Sequence, residues 1–174
     1  MKAGHADEAE KTLTSWLDAH PDDNVIRSTL AQVYLGSNQY AGARDQYAEI
    51  VRQAPNDIAA ENNLAWTLSV LGQKEEALQH ARHAAAAAPD TPDVLDTLGV
   101  VLLQNGIPAE ARTTLEKAAK SAPAAAPIQF HLAQALIETG EPDRARDILR
   151  SLLAGNQPFD GREQAQELLK QLRG

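Results

Sequence analysis

The stretch PDVLDTLGVVLLQNGIPAEARTTLEKAAKSAP, from Pro92 to Pro123, determines how the rest of the sequence is interpreted. Its apolar spacing predicts one helix, a short turn at Asn105-Gly106, a second helix, and a proline that ends the second helix. Glycine accepts the left-handed conformation in which many helices end, and proline cannot continue a helix. The stretch therefore predicts a helix–turn–helix unit.

The same unit recurs along the chain with a period of 34 residues. The residues that recur at this spacing are a proline, an alanine, a leucine, and a glycine or asparagine at the turn. They are Pro21, Pro55, Pro89 and Pro123; Ala9, Ala43, Ala77, Ala111 and Ala145; Leu30, Leu64, Leu98 and Leu132; and Gly4, Asn38, Gly72, Gly106 and Gly140. A fixed period in this range is typical of stacked helical repeats. The four prolines are called the ladder prolines below.

These columns resemble the tetratricopeptide repeat (TPR), a helix–turn–helix of 34 residues with small residues at its eighth and twentieth positions and proline at its thirty-second. The resemblance implies an all-α, right-handed solenoid with complete repeats at 24–57, 58–91, 92–125 and 126–159. The family's usual tryptophan at the fourth position is replaced here by other residues. They are Arg27, Glu61, Leu95 and Gln129.

The two ends depart from the period. Residues 1–23 correspond to the second helix of a truncated repeat, with Ala9, Leu13 and Trp16 in its apolar columns. This predicts a C-terminal fragment of a longer repeat protein, whose uncovered end is a candidate for oligomerisation. The alternative is a natural chain with an atypical first helix.

Residues 160–174 predict a capping helix, which repeat arrays need at their ends. Asp160 and Glu163 have the spacing of a capping box. The apolar stripe of this helix consists of Ala165, Leu168, Leu169 and Leu172.

The closing sequence GNQPFDGREQAQELLKQL resembles the C-terminal end of the bacterial TPR lipoproteins of the PEP-CTERM/exosortase exopolysaccharide system. Those proteins carry a proline-phenylalanine followed by a polar helix that ends in paired leucines, and the NNLAW sequence from Asn62 to Trp66 is similar to their later repeats. The resemblance implies a role in exopolysaccharide assembly or export, in the periplasm or attached to the outer membrane. Without it, a cytoplasmic protein is expected.

Composition argues against several classes of partner. The chain has 174 residues and a net charge of −8, whereas nucleic acids and anionic membranes attract clustered Lys and Arg. It has no cysteine, which excludes disulfides and thiolate zinc sites. No apolar run approaches the roughly 18 residues of a membrane span, so this segment is not expected to insert into a membrane.

Candidate catalytic or metal-binding residues are few. His80 and His83 lie one helical turn apart, but no carboxylate column completes a metal site with them, and paired exposed histidines are usually solvated. His131 is more readily a structural hydrogen-bonding residue than a catalyst. The sequence therefore predicts no enzyme, no cofactor and no metal.

The groove implied by the TPR resemblance is the predicted binding site for a protein or peptide. Its predicted residues are Gln32, Leu35, Asn62, Asn63, Trp66, Asp96, Val100, Leu103, Phe130, Gln134 and Ile137. The groove columns carry no Lys or Arg, so the carboxylate clamp of chaperone-binding TPR proteins is not expected. We predict that Trp66, Val100, Leu103, Phe130 and Ile137 are exposed, because exposed apolar patches often mark interaction sites.

Two functions remain open. One is a scaffold that binds a polypeptide in its groove, with Trp66 and Phe130 as anchors. The other is a structural or oligomerising component of an envelope complex, which uses the repeat ends or the convex face. The alternative to exposed anchors in the groove is that Trp66 and Phe130 pack partly on adjacent helices.

Overall fold

A computed structural model describes residues 3–155 and 158–172, with side chains from residue 6 onward. These residues form ten α-helices and no strand, so the predicted all-α fold class is confirmed. The helices are α1 Ala3–Ala19, α2 Asn24–Gly36, α3 Tyr40–Gln53, α4 Ile58–Val70, α5 Lys74–Ala87, α6 Pro92–Gln104, α7 Pro108–Ser121, α8 Ala126–Glu138, α9 Pro142–Ala154 and α10 Arg162–Gln171. Within the described residues, each helix is too short or too polar to cross a lipid bilayer.

Each turn inside a helix pair is made by a residue with a positive φ. These residues are Asn38 (φ 57°), Gly72 (75°), Gly106 (70°) and Gly140 (80°), and they keep the period seen in the sequence. Asparagine is among the few non-glycine residues that accept this conformation readily. At the other end of two pairs, Asp23 and Asp57 cap α2 and α4 by accepting a hydrogen bond from a backbone N–H three residues ahead.

The helices form two compact units, Met1–Ala87 and Ala88–Gly174. In the first unit, α1 packs on α2, α2 on α3, α3 on α4, and α4 on α5. In the second unit, α6 packs on α7, α7 on α8, α8 on α9, and α9 on α10. Both units are thus stacks in which each helix contacts its neighbours in sequence, as expected of helical repeats.

Small side chains let the helices approach closely. The alanines that recur every 34 residues at 43, 77, 111 and 145 are fully buried. Gly99 on α6 makes the closest approach, because a Cβ added there would lie 2.4 Å from Leu115 Cγ on α7. The small residue that the resemblance implies at the eighth position of the repeat therefore makes a close helix contact here.

The first helix is less covered than its equivalents. Trp16 is 48% exposed, whereas Ile50 and Ala84, one and two periods later, are buried. Leu13 is half-buried, whereas its equivalent Tyr47 is buried. Helix α1 thus presents an apolar face that is buried at the equivalent positions of the next repeats, Ile50, Ala84 and Tyr47.

We expect the backbone amides of residues 6–20 to exchange hydrogen for deuterium sooner than those of 94–104. Helix α1 packs on α2, whereas α6 packs on both α7 and α8. In repeat proteins, stability is roughly a sum over such neighbour contacts. Hydrogen exchange followed by mass spectrometry measures this, and equal protection of the two segments would contradict it.

The capping helix is present, but the capping box predicted for its start is wrong. Helix α10 begins at Arg162, and its N-cap is Gly161, which has a φ of 96° and makes no side-chain cap hydrogen bond. Asp160 stands one residue too early, because the chain uses the left-handed glycine to turn into the helix. At the other end, the Arg146 guanidinium donates to the Leu172 carbonyl from Nε and Nη2 at 3.0 and 2.7 Å.

The predicted apolar stripe of α10 faces the protein. Ala165 and Leu169 are buried, and Leu168 and Leu172 are half-buried. The helix packs on α9. It therefore covers the apolar side of the last helix pair, as a cap must.

Candidate functional site

A recess of about 340 Å³ in the second unit contains four of the predicted groove residues. It lies between side chains of α6, α8 and α10. Its lining residues are Val100, Leu103, Gln104, Phe130, His131, Gln134, Glu138 and Gln164. The recess thus combines apolar side chains with three amides, an imidazole and a carboxylate.

A hydrogen bond orients the imidazole of the recess. His131 Nδ1 on α8 lies 2.8 Å from Asp96 Oδ1 on α6, and both side chains are mostly buried. In this geometry Nδ1–H donates to the carboxylate. The predicted structural hydrogen bond of His131 is present, and it links two first helices of neighbouring repeats.

Phe130 does not have the exposure predicted for it. Its side chain is only 3% exposed, and its ring lies 6.2 Å from the Phe159 ring, centroid to centroid. Gly161 also lies against the ring, since a Cβ there would be 2.8 Å from Phe130 Cε1. The segment that leads into α10 therefore folds over Phe130, and the prediction of an exposed anchor is wrong.

The other predicted residues of the second unit are partly accessible. Val100, Leu103, Gln134 and Ile137 are all half-buried. Three of them line the recess, whereas Ile137 is not among its lining residues. The capping helix adds Gln164, which sequence analysis missed because α10 stands outside the period.

A separate apolar surface lies in the first unit around Trp66. Trp66 is 39% exposed, and its ring meets Tyr40 edge-to-face at 6.2 Å between centroids. Val70 and Leu71, which follow on the same helix and turn, are also exposed. Trp66 therefore has the predicted exposure, while Tyr40 gives it one packing partner.

The remaining predicted residues of the first unit differ in exposure. Gln32 is exposed, and Leu35, Asn62 and Asn63 are half-buried. The Oδ1 atom of Asn62 is buried and has no hydrogen-bond partner within the described residues. It is an acceptor without a donor, next to the turn of helix that carries Trp66.

His80 and His83 have a partner that the sequence did not reveal. Both Nδ1 atoms on α5 lie 2.9 Å from the same oxygen, Oε1 of Glu61 on α4. Glu61 is 19 and 22 residues away from them, and the only sequence signal was their spacing of one helical turn. Within the described residues, no group of three His, Cys, Asp or Glu side chains is arranged to hold a metal ion.

Two carboxylates whose pKa is lowered owe the shift to structural hydrogen bonds. Hydrogen bonds from Arg52 and then Gln53 lower the pKa of Glu49 to about 2. Hydrogen bonds from Arg144 and then Arg112 lower the pKa of Glu141. Such shifts arise at ion pairs on the surface as readily as at acid–base sites. They give no support to a catalytic centre.

Comparisons with known proteins agree with this architecture. A family model described as tetratricopeptide repeat matches residues 1–62, 34–101 and 102–172. No curated protein matches the sequence significantly.

Several solved structures share the fold. MamA (residues 41 to the end) from Desulfovibrio magneticus RS-1 is 18% identical, covers 87% of this chain and 85% of its own, and has a TM-score of 0.77. A thermophilic TPR protein of Thermus thermophilus is 20% identical, with coverage of 95% and 91% and a TM-score of 0.76. YrrB, described as a TPR protein with an unusual peptide-binding site, is 18% identical, with coverage of 92% and 81% and a TM-score of 0.69. At these identities the likeness shows the fold.

Proposed function

Because this chain belongs to the tetratricopeptide repeat family, whose members serve as protein-interaction scaffolds, we propose that it binds a polypeptide segment in the recess of the second unit. The observation that supports this most directly is the recess itself, a 340 Å³ space lined by Val100, Leu103 and Gln134. These residues come from the columns that the sequence assigned to the groove. The peptide-binding site in YrrB's description is a property of that protein, and it makes a peptide a reasonable class of ligand here.

The chemistry of the recess favours an extended segment with one apolar side chain. That side chain would pack on Val100 and Leu103, which lie one helical turn apart. The amides of Gln104, Gln134 and Gln164 each donate and accept hydrogen bonds, so they can pair with a peptide backbone of any sequence.

Charge adds a further preference. Glu138 lines the recess, Asp96 lies behind His131, and none of the eight lining residues is Lys or Arg. An anionic ligand such as a nucleic acid or a terminal carboxylate finds no cation there. We propose a partner with a positive charge beside its apolar anchor.

We also propose that Trp66 forms a separate contact surface in the first unit. A large, exposed aromatic residue is the type that most often carries an interface's binding energy. The unpartnered Oδ1 of Asn62 supplies an acceptor for a backbone N–H.

The proposal is tested with Leu103→Glu in the recess and Trp66→Glu in the first unit. A partner is first captured from the source organism, identified by mass spectrometry and purified, and its affinity is then measured by calorimetry. We expect Leu103→Glu and Trp66→Glu each to weaken binding at least about tenfold, because each removes an apolar anchor of the interface. Thr113→Glu is the matched control, because it adds the same charge at an exposed position on α7. Unchanged affinity in both folded variants would overturn the proposal.

One observation favours a second candidate function, assembly through the repeat end. The apolar face of α1 is partly exposed at Trp16, whereas the equivalent residues Ile50 and Ala84 of the next two repeats are buried. We propose self-association there as the alternative to groove binding. Measuring the molar mass of the protein in solution over a range of concentrations tests this proposal. A monomer at every concentration would argue against it.

For the cellular setting, we propose the exosortase-associated exopolysaccharide system of bacteria. The support is the resemblance of the closing sequence, with Pro158-Phe159 followed by a polar helix and paired leucines. Deletion of the gene in the source bacterium should then lower the amount of exported exopolysaccharide. An unchanged amount would contradict this setting without affecting the proposed peptide site.

A further inference from the structure

One position on the first helix of each pair carries a different side chain in every repeat. The four residues are 34 positions apart and are Arg27, Glu61, Leu95 and Gln129. Each follows a ladder proline by six residues. This position lies near the carbonyl of that proline, as the hydrogen bonds of the repeats demonstrate.

In three of the repeats a side-chain N–H donor reaches the proline carbonyl. Arg27 Nη2 lies 2.6 Å from Pro21 O, and Gln129 Nε2 lies 3.2 Å from Pro123 O. In the repeat that has leucine at this position, a lysine from the second helix does so instead, with Lys117 Nζ at 2.6 Å from Pro89 O. The Pro21 carbonyl also accepts a hydrogen bond from Gln53 Nε2 at 3.1 Å, so two of the four donors are cationic side chains.

The second repeat reverses this chemistry. Its side chain is Glu61. An ionised carboxylate only accepts hydrogen bonds, so it cannot donate one to the Pro55 carbonyl. Glu61 is 4% exposed, its Oε1 receives both imidazoles, and its Oε2 is buried without a hydrogen-bond partner among the described residues. A buried carboxylate oxygen favours a hydrogen-bond donor beside it, because leaving it unpaired costs free energy.

A cavity of about 200 Å³ opens beside this carboxylate. Its lining residues are Pro55, Asn56, Ile58, Glu61, His83, Ala84 and Ala87. Pro55, Asn56 and Ala87 are exposed, so the cavity is open to solvent. Apart from Glu61, Asn56 and His83, its walls are apolar.

We propose that this cavity is a receptor for the basic side chain of a lysine in a partner polypeptide. An ammonium group has three donors and no acceptor, which matches the acceptors of Glu61 and Pro55. Its alkyl stem packs against Ile58 and the two alanines, as lysine stems commonly pack on apolar surface. The partner's lysine thus takes the place that Arg27 fills from within the chain in the first repeat.

This site is distinct from the recess of the second unit, and its test needs no partner. The probes are two matched peptides, acetyl-Ala-Ala-Lys-Ala-Ala-amide and the same peptide with norleucine, which keeps the stem and removes the charge. Butylammonium chloride serves as a free amine. Titrations followed by NMR of the backbone amides at Glu61, His83 and Ala84 give both location and affinity.

We expect the lysine peptide to shift these amides and the norleucine peptide to leave them unchanged. Glu61→Gln should weaken the lysine peptide at least about tenfold, since hydrogen bonds to charged groups contribute that much or more. Glu75→Gln, which removes the same charge from an exposed position on α5, should bind like wild type. Glu61→Arg should fold and lose the peptide, because its own guanidinium would reach towards Pro55 as that of Arg27 reaches the Pro21 carbonyl.

Three results would overturn the inference. They are equal affinity of wild type and folded Glu61→Gln, equal binding of the two peptides, and absence of any shift with the lysine peptide in wild type. If butylammonium binds but the lysine peptide does not, the site belongs to free amines, and a polypeptide as the source of the cation is overturned.

Discussion

Replacing Phe130 with alanine is expected to lower the free energy of unfolding by about 3–5 kcal/mol, the usual cost of removing a buried aromatic side chain. The ring is 3% exposed and lies under Phe159 and Gly161. Its loss removes the surface on which the segment before α10 rests. We therefore expect the amides of 162–171 to exchange faster than in wild type, as well as a lower melting temperature.

Phe159→Ala is the matched control for this prediction. Phe159 is half-buried, so its removal leaves a smaller cavity and a smaller loss of stability, although it also frees one side of the Phe130 ring. Chemical denaturation of both variants measures the difference. If Phe130→Ala had the melting temperature of wild type, the conclusion that the 158–161 segment covers the ring would be wrong.

Gly99→Leu is expected to destabilise the second unit by about 1–3 kcal/mol, the typical cost of overpacking a core. Even the first added atom, Cβ, would lie 2.4 Å from Leu115 Cγ and 2.6 Å from its Cδ2. Leu115 is fully buried, so it cannot move aside without disturbing its neighbours. Ala109→Leu is a suitable control, because Ala109 is exposed on α7 and its replacement also introduces a leucine side chain.

A double-mutant cycle identifies the cause of this effect. Gly99→Ala should cost less in a Leu115→Ala background than in wild type, because the clashing atoms are then absent. Additive costs would mean that the glycine is needed for some reason other than its distance from Leu115.

The fold was predictable because its determinants repeat. The ladder residues set the helix ends, the turn residues and the close contacts in every copy, so a single misread column has little influence. Asn38 illustrates this, because its place in the period predicted a turn where the residue type alone is ambiguous. Its φ of 57° agrees with that interpretation.

The candidate site was less predictable because its decisive contacts break the period. Phe130 is covered by Phe159, whereas the equivalent positions of earlier repeats carry Asp57, Thr91 and Ala125. Glu61 meets His80 and His83 through side-chain geometry, which the spacing of columns does not determine. The period indicates which helices pair, but it does not indicate which side chains close a recess or leave a cavity.

The packing of each helix against its sequence neighbours has a consequence for the speed of folding. Most tertiary contacts within a unit join helices separated by one short turn, so the chain closes small loops rather than large ones. Proteins dominated by such local contacts fold quickly, in microseconds to milliseconds. Folding of either unit can begin at any of its helix pairs and spread to the next, so it does not wait for distant parts of the chain to meet.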